Sequence, residues 1–162
     1  MNKEIASQPD AAKFRSIATI ILILICIAVF LRYTDQLSEK AEIIARDRVI
    51  SDIKHSLAMM LYDYTIKGKT EELQKFDEGN PFVPLAIYRG LPVNYQGAKV
   101  ESPDSPEQGW YFDLSLKQVI YINSKSEFEK FYIKFLYEDV NNNGQFDRQV
   151  DVLKGLEMKK AS

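Results

Sequence analysis

The stretch KFRSIATIILILICIAVFLRYTD, residues 13–35, decides how the rest of the chain is interpreted. Its centre, residues 16–31, carries no charge and consists mostly of Ile, Leu, Val, Ala and Phe. As a helix these 16 residues span about 24 Å, and Phe14 and Tyr33 lengthen the apolar run toward the ~30 Å core of a bilayer. Arginines at both ends have side chains long enough to reach the membrane interfaces. We therefore predict a transmembrane helix over residues 14–33.

A cleaved export signal and a buried soluble helix are the two alternatives for this stretch. A cleaved signal needs small residues shortly after its apolar region. The residues that follow here, VFLRYTDQLSEK, are bulky and charged, so we expect an uncleaved anchor.

The orientation of the anchor is not decided by counting basic residues, because three precede the uncharged run, residues 16–31, and four follow it closely. They are Lys3, Lys13 and Arg15 before it, and Arg32, Lys40, Arg46 and Arg48 after it. Residues 1–13 form a tail too short to be the working part. We therefore place this tail in the cytoplasm and the large C-terminal part across the membrane.

A second helical segment, residues 34–68, follows without interruption, since no Gly or Pro lies between Ala11 and Lys67. Its apolar residues recur in steps of 7, 3, 4, 3 and 4, which is one face of a helix. They are Ile43, Ile50, Ile53, Leu57, Met60 and Tyr64. We predict one helix from about Phe14 to Lys67, with Gly68 as its C-cap. The apolar stripe either packs on the chain's own C-terminal domain, the interpretation we prefer, or joins two chains in a coiled-coil homodimer. His55 lies beside the stripe and is expected to be exposed.

The remaining residues, 69–162, have the pattern of a small sheet domain. A short helical stretch over residues 70–77 precedes a Pro- and Gly-rich segment, residues 80–109, which is typical of loops. Four strand-like runs follow: WYFDLSL, KQVIYINS, EFEKFYIKFLYEDV and QFDRQVDVLKGL. The NNNG sequence between the last two predicts a hairpin turn. The predicted fold is α+β: a long N-terminal helix, transmembrane in its first half and amphipathic in its second, packed on an antiparallel sheet of three or four strands.

The overall charge and the rare residue types exclude several functions. The chain has 21 basic and 23 acidic residues, so it lacks the basic excess of a nucleic-acid-binding protein. With a single histidine, His55, and a single cysteine, Cys26, which lies inside the apolar run, the sequence shows no nucleophile–base pair and no multi-ligand zinc site. We expect no enzymatic activity.

One motif, DVNNNGQFDRQVD over residues 139–151, suggests a cation. Its first nine residues match positions 1, 3, 5, 6 and 9 of a calcium-binding loop. The candidate ligands are Asp139, Asn141, Asn143, Gln145 through its backbone carbonyl, Asp147 and Asp151. Position 12 is Val150, where a calcium loop normally has Glu. The alternative is a hairpin turn whose Asn and Asp side chains bind their own backbone. Calcium is the one cofactor that the sequence suggests.

The layout of a long N-terminal helix followed by a small sheet resembles the type IV pilins and pseudopilins. GNPFVPLAIYRGLPVNYQG, residues 79–97, is similar to the N-P-x-x-x-L…N-Y-x-G segment of pilin-like proteins from mannose-sensitive haemagglutinin (MSHA) pilus operons. GWYFDLSLKQVIYIN, residues 109–123, resembles the W-x-F-D…V-x-Y strand pair of MSHA-type pilins. The resemblance implies a pilin-like fold.

The opening run departs from the pilin pattern at the cleavage site. Prepilins have Gly before the cleaved bond and Glu at the fifth mature position, whereas Lys13 precedes Phe14 here and Ala18 is the fifth residue from it. The resemblance is therefore closest to an uncleaved, MshF-type component of MSHA pilus biogenesis.

The resemblance also implies a place and a set of partners. It places the chain in the bacterial inner membrane as a single-pass protein with a periplasmic C-terminal domain. Its partners are expected to be pilus or secretion-assembly proteins, contacted through residues Gly79 to Gly109. A pseudopilin of a type II secretion system and a membrane-tethered periplasmic binding or sensor module are the alternatives.

Overall fold

The computed structural model describes residues 8–100 and 107–161, with side chains from residue 13 onward. It confirms an α+β fold with a long N-terminal helix. The elements are helix α1 (Gln8–Ile66), a 3₁₀ helix (Thr70–Phe76), helix α2 (Phe82–Tyr88) and strands β1 (Tyr95–Lys99), β2 (Gly109–Asp113), β3 (Gln118–Ile122), β4 (Phe128–Glu138) and β5 (Val152–Lys160). The chain divides into two compact units, Met1–Ala45 and Arg46–Ser162.

The first unit is helical throughout its described part. Every side chain from Lys13 to Ala41 is exposed. The helix includes every described residue from Gln8 onward, so it extends further toward the N-terminus than the predicted start near Phe14.

In the second unit, the C-terminal part of α1 packs on the sheet as predicted. Ile53, Leu57 and Met60 are buried in the core, and Ile50 and Tyr64 pack partly against it. Ile43, which the pattern placed on the same stripe, belongs to the first unit and is 43% exposed. His55 is exposed, as expected.

The C-terminus of α1 follows the predicted capping chemistry. The amide of Lys69 donates to the carbonyl of Tyr64, and that of Gly68 donates to Thr65. Gly68 has φ +67°, a left-handed conformation that glycine adopts without steric cost.

The sheet has five strands in the order β1-β2-β3-β4-β5. Strands β2 to β5 form an antiparallel meander. The prediction of a purely antiparallel sheet of three or four strands is wrong at one edge, where β1 pairs parallel with β2. The sequence pattern missed β1 because Gly97, at φ +88°, interrupts its alternation and because its pairing depends on tertiary contact. Strand β5 forms the other edge.

Helix α2 lies within the segment that was predicted to be a loop. Its proline, Pro84, is the third residue of the helix, where a missing N–H breaks no helical hydrogen bond. The Asn80 side chain accepts a hydrogen bond from the Phe82 amide at 3.0 Å and so helps to start the helix. Phe82 and Leu85 are buried in the core, so packing stabilises a helix whose composition alone indicates a turn.

The core is aromatic and centres on Trp110, which is buried. Its ring lies 4.6 Å from Tyr121 and 6.1 Å from Phe131, centroid to centroid. On the opposite face of the sheet, Tyr111 and Ile120 are also buried, with Ile122. Because β2 is buried on both faces, it has three consecutive aromatic residues, Trp110 to Phe112, rather than an alternating pattern.

Beyond the end of β3, the chain after the 3₁₀ helix takes over the pairing with β4. The Glu78 amide donates to the Ile133 carbonyl at 2.9 Å. The Phe135 amide donates to an Asp77 carboxylate oxygen at 2.8 Å. These two contacts satisfy backbone groups of β4 that β3 is too short to reach.

Candidate membrane anchor, contact surface and cation loop

The apolar segment of α1 is the candidate membrane anchor. Its large apolar side chains from Phe14 to Tyr33 are 49% to 73% exposed. Among the residues that the structure describes, α1 is the one helix with a stretch long and apolar enough to cross a membrane, and that stretch is not buried in the protein. Exposing apolar surface to water costs about 25 cal/mol per Å². A lipid environment would remove this cost.

The contact surface predicted between Gly79 and Gly109 contains α2, β1 and an apolar groove. The groove has a volume of about 340 Å³ and is lined by Asn80, Phe82, Val83, Ala86, Ile87, Leu91 and Tyr95. None of these residues is charged. We call it the α2 groove. Ile87 is 72% exposed and Val83 53%, so their side chains are available to a partner.

Helix α2 is fixed to the rest of the second unit by a hydrogen bond. The Tyr88 hydroxyl donates to Asp63 Oδ2 on α1 at 2.6 Å. This bond to a carboxylate, together with partial burial, raises the pKa of Tyr88 to about 12. The outward-facing apolar residues of α2 are therefore carried on a helix that is hydrogen-bonded to α1.

The floor of the α2 groove is built by stacked rings. Phe82 and Tyr95 stack with their centroids 4.1 Å apart, and Phe82 also meets Trp110 edge to face at 6.3 Å. Asn80 Nδ2 donates to the Tyr95 hydroxyl at 3.4 Å. The groove therefore joins the central core directly.

The first half of the candidate calcium loop is closed by its own side chains. The Asp139 carboxylate accepts hydrogen bonds from the amides of Asn143 and Gly144, at 3.2 and 2.7 Å. Asn141 Oδ1 accepts a bond from the Asn143 amide at 3.1 Å, and Asn143 Oδ1 accepts one from the Gln145 amide at 2.7 Å. Gly144, at φ +74°, provides the turn that both interpretations of the motif require.

The second half of the loop is organised by Asp151, which is buried. Its two carboxylate oxygens accept hydrogen bonds from the amides of Val140 and Asp147, at 2.9 and 2.7 Å. Asp147 in turn accepts a bond from the Gln149 amide at 2.9 Å. Asp151 therefore ties the start of the loop to its end.

The connection between β4 and β5 differs from the predicted one. The predicted tight turn at NNNG, with the strand resuming at Gln145, is wrong: β4 ends at Glu138 and β5 begins at Val152. The connection is a loop over residues 139–151 because the Asx side chains satisfy its backbone in place of a strand partner.

Each Asp and Asn proposed as a calcium ligand accepts a hydrogen bond from a backbone amide of the loop, as the hairpin-turn interpretation requires. A carboxylate oxygen that accepts one N–H keeps a second lone pair, and these hard oxygens suit calcium chemically. The guanidinium of Arg148, also in this loop, donates to the Gly68 carbonyl at the C-terminal end of α1. A positively charged side chain is favourable at that end of a helix. The calcium site stays a prediction.

The two stretches that carry the resemblance have clear structural roles. Asn80 and Pro81 start α2, and Leu85 is buried. Trp110 fills the core, and the buried Asp113 accepts hydrogen bonds from the amides of Ser115 and Leu116, both at 2.9 Å. These bonds close the turn between β2 and β3.

No family model, curated protein or solved structure matches this chain. The type IV pilin and MSHA resemblance therefore depends on the sequence motifs and on the layout of the elements.

Sequence reasoning missed the α2 groove and the Tyr88–Asp63 hydrogen bond. Both depend on α2, and the prolines of this segment had predicted a loop there instead of a helix. The available signal was the spacing of Val83 and Ile87, four residues apart and so on one face of a helix.

Proposed function

We propose that this chain is a single-pass, non-enzymatic component of type IV pilus biogenesis of the MSHA type, located in the bacterial inner membrane. The anchor is the apolar segment of α1, and the second unit is the periplasmic domain. The observation that carries the proposal is the exposed apolar run from Phe14 to Tyr33, which suits lipid better than water. The motifs at residues 79–97 and 109–123 support the pilus assignment.

The proposed mechanism is contact with other assembly proteins. The α2 groove offers an uncharged apolar surface on a rigid support, which suits the insertion of apolar side chains from a partner. Lys13 and Ala18 stand where a pilin has Gly and Glu, which favours an uncleaved assembly factor over a fibre subunit.

The anchor is tested by fractionation and mass spectrometry of the full chain. We expect the protein to remain with the membranes after alkaline carbonate extraction, to dissolve in detergent, and to keep its N-terminus or lose Met1 alone. A mature start at Phe14 would restore the pilin or pseudopilin alternative. Recovery in the soluble fraction would overturn the anchor.

The pilus assignment is tested by deletion and complementation in the source bacterium. We expect loss of surface pili on deletion and restoration by the full chain. Ile87→Asp, in the α2 groove, should fail to restore pili while still reaching the membrane. Leu116→Asp, at an exposed apolar site in the β2–β3 turn, is the matched control and should restore them. Normal piliation after deletion would overturn the proposal.

A further inference from the structure

We infer that α1 pairs in parallel with α1 of a second copy of this chain, along a stripe that runs from Ile20 in the membrane anchor to Ile44 ahead of the sheet domain. The inference rests on the proposed membrane anchoring, because one shared bilayer sets two copies side by side in the same orientation. The residues proposed to pair are not those that pack on the sheet. The pairing surface is a heptad stripe that ends just before the second unit begins.

The stripe follows from the spacing of residues along α1. Taking Leu37 and Ile44 as successive d positions, the pattern extends back through nearly four heptads without a charged residue at a or d. The a positions are Ile20, Ile27, Thr34 and Ala41, and the d positions are Ile23, Phe30, Leu37 and Ile44. From Ile20 to Ile44 the stripe is about 36 Å long.

The part of the stripe beyond the anchor is uncovered. Leu37 is 57% exposed and Ile44 is 69% exposed. Lipid would cover the residues before Tyr33, but it does not reach a segment that continues into the periplasm. The residues of α1 that pack on the sheet, from Val49 onward, do not belong to the stripe, so both surfaces can be used by one molecule.

The charge pattern selects a second copy as the partner. In a parallel pair each a or d residue meets itself, so a charge there would face a like charge, and none is present from Ile20 to Ile44. The charged residues between Ile20 and Ile44 occupy positions b, f and g, namely Arg32, Asp35, Glu39, Lys40 and Glu42. Lys40, at g, would face Ala45 of the other copy at e, so no like charges oppose each other there.

The polar and terminal members of the stripe fit the same arrangement. The Thr34 hydroxyl donates to the Phe30 carbonyl of its own helix at 2.9 Å, so it needs no partner across the seam. The next a position after Ala41 is Arg48, which would face its own copy and repel it. The stripe therefore ends where packing on the sheet begins.

Cysteine cross-linking of the full chain in native membranes tests the inference, with Cys26→Ser as the background. Ile44→Cys and the adjacent Ile43→Cys form a matched pair, because both replace an exposed isoleucine and differ in heptad position. We expect oxidation to give a disulfide dimer at least about fivefold more abundant for Ile44→Cys than for Ile43→Cys. Leu37→Cys and Ala41→Cys should behave like Ile44→Cys.

A second measurement does not depend on cysteine. Two differently tagged copies are co-expressed, dissolved in mild detergent and co-purified. Ile44→Asp should abolish recovery of the second copy, and Ile43→Asp should not. Circular dichroism of both variants, which should be equal, excludes unfolding as the cause.

The outcomes separate this inference from the proposed function. A chain that is not recovered in membranes refutes the anchor. A membrane-anchored chain with equal cross-linking at Ile43 and Ile44, with no dimer, or with cross-links only to a different protein refutes self-pairing and leaves the anchor standing.

Discussion

Arg46 Nη1 lies 3.1 Å from each carboxylate oxygen of Glu129, a residue 83 positions away in the sequence. The same carboxylate accepts a hydrogen bond from Lys160 Nζ at 2.8 Å. Both Arg46 and Glu129 are about three-quarters buried. The three residues therefore join α1, β4 and β5 at the point where the second unit begins. A hydrogen bond from Arg46 to Asp47 raises the pKa of Arg46.

Removing the shared carboxylate should weaken this junction. Glu129→Gln is expected to lower the free energy of unfolding by about 1–2 kcal/mol, because two cations lose a partly buried partner. The fluorescence of Trp110, the single tryptophan, reports unfolding of the sheet domain in the detergent-dissolved full chain. Glu138→Gln, which removes the exposed pair with Lys154, should cost less than about 0.5 kcal/mol. Equal effects of the two substitutions would contradict a special role for Glu129.

Substitutions on the buried stripe of α1 should lower the free energy of unfolding more than substitutions on its exposed face. Leu57→Ala is expected to cost about 2–4 kcal/mol, since Leu57 is 2% exposed and its removal leaves a cavity under the sheet. Met59→Ala, two residues away on an exposed site, should cost less than about 1 kcal/mol. Urea unfolding followed by Trp110 fluorescence measures both. Similar costs would mean that α1 does not depend on the sheet.

The Tyr88–Asp63 hydrogen bond predicts a change of stability at alkaline pH. The pKa of Tyr88 is raised from 10.0 to about 12, so its contribution is complete below pH 10 and is lost between pH 10 and 12 as the hydroxyl ionises. Tyr88→Phe should cost about 1 kcal/mol at pH 7 and remove this part of the alkaline loss. Tyr62→Phe, at an exposed site, should leave the pH-dependence as it is. The comparison requires unfolding curves at several pH values.

The loop over residues 139–151 should depend strongly on Asp151. Asp151→Ala leaves the amides of Val140 and Asp147 without their acceptor, and we expect a loss of about 2 kcal/mol in chelator-treated protein. Asp139→Ala provides the comparison at the exposed end of the loop.

The calcium prediction is tested on the same proteins. Millimolar calcium should raise the melting temperature of the unmodified chain if the loop binds the ion, and Asp139→Ala should abolish the rise. An unchanged melting temperature would remove calcium and leave a turn held by its own hydrogen bonds.

The regular elements could be predicted from the sequence because their signals are local. A run without Gly or Pro predicted the helix, and its 3–4 spacing predicted the buried stripe around Leu57. Three β-rich runs located β2 to β4, whereas the fourth only overlapped β5. Helix α2 could not be predicted, since its stability comes from burial of Phe82 and Leu85 rather than from composition. The parallel pairing of β1 and the Arg46–Glu129 contact are long-range and leave no periodic pattern in the sequence. The calcium motif contained the right turn residues, but local spacing does not show that Asp151 is occupied by backbone amides.

Strand β5 lies at the edge of the sheet and carries Lys154, Lys159 and Lys160. An open edge invites strands of other chains, and repeated lysines discourage such addition because the incoming strand would have to bury or oppose them. This protects the domain against amyloid-like stacking. Contacts at this edge are thereby directed away from the backbone of β5 and toward its side chains.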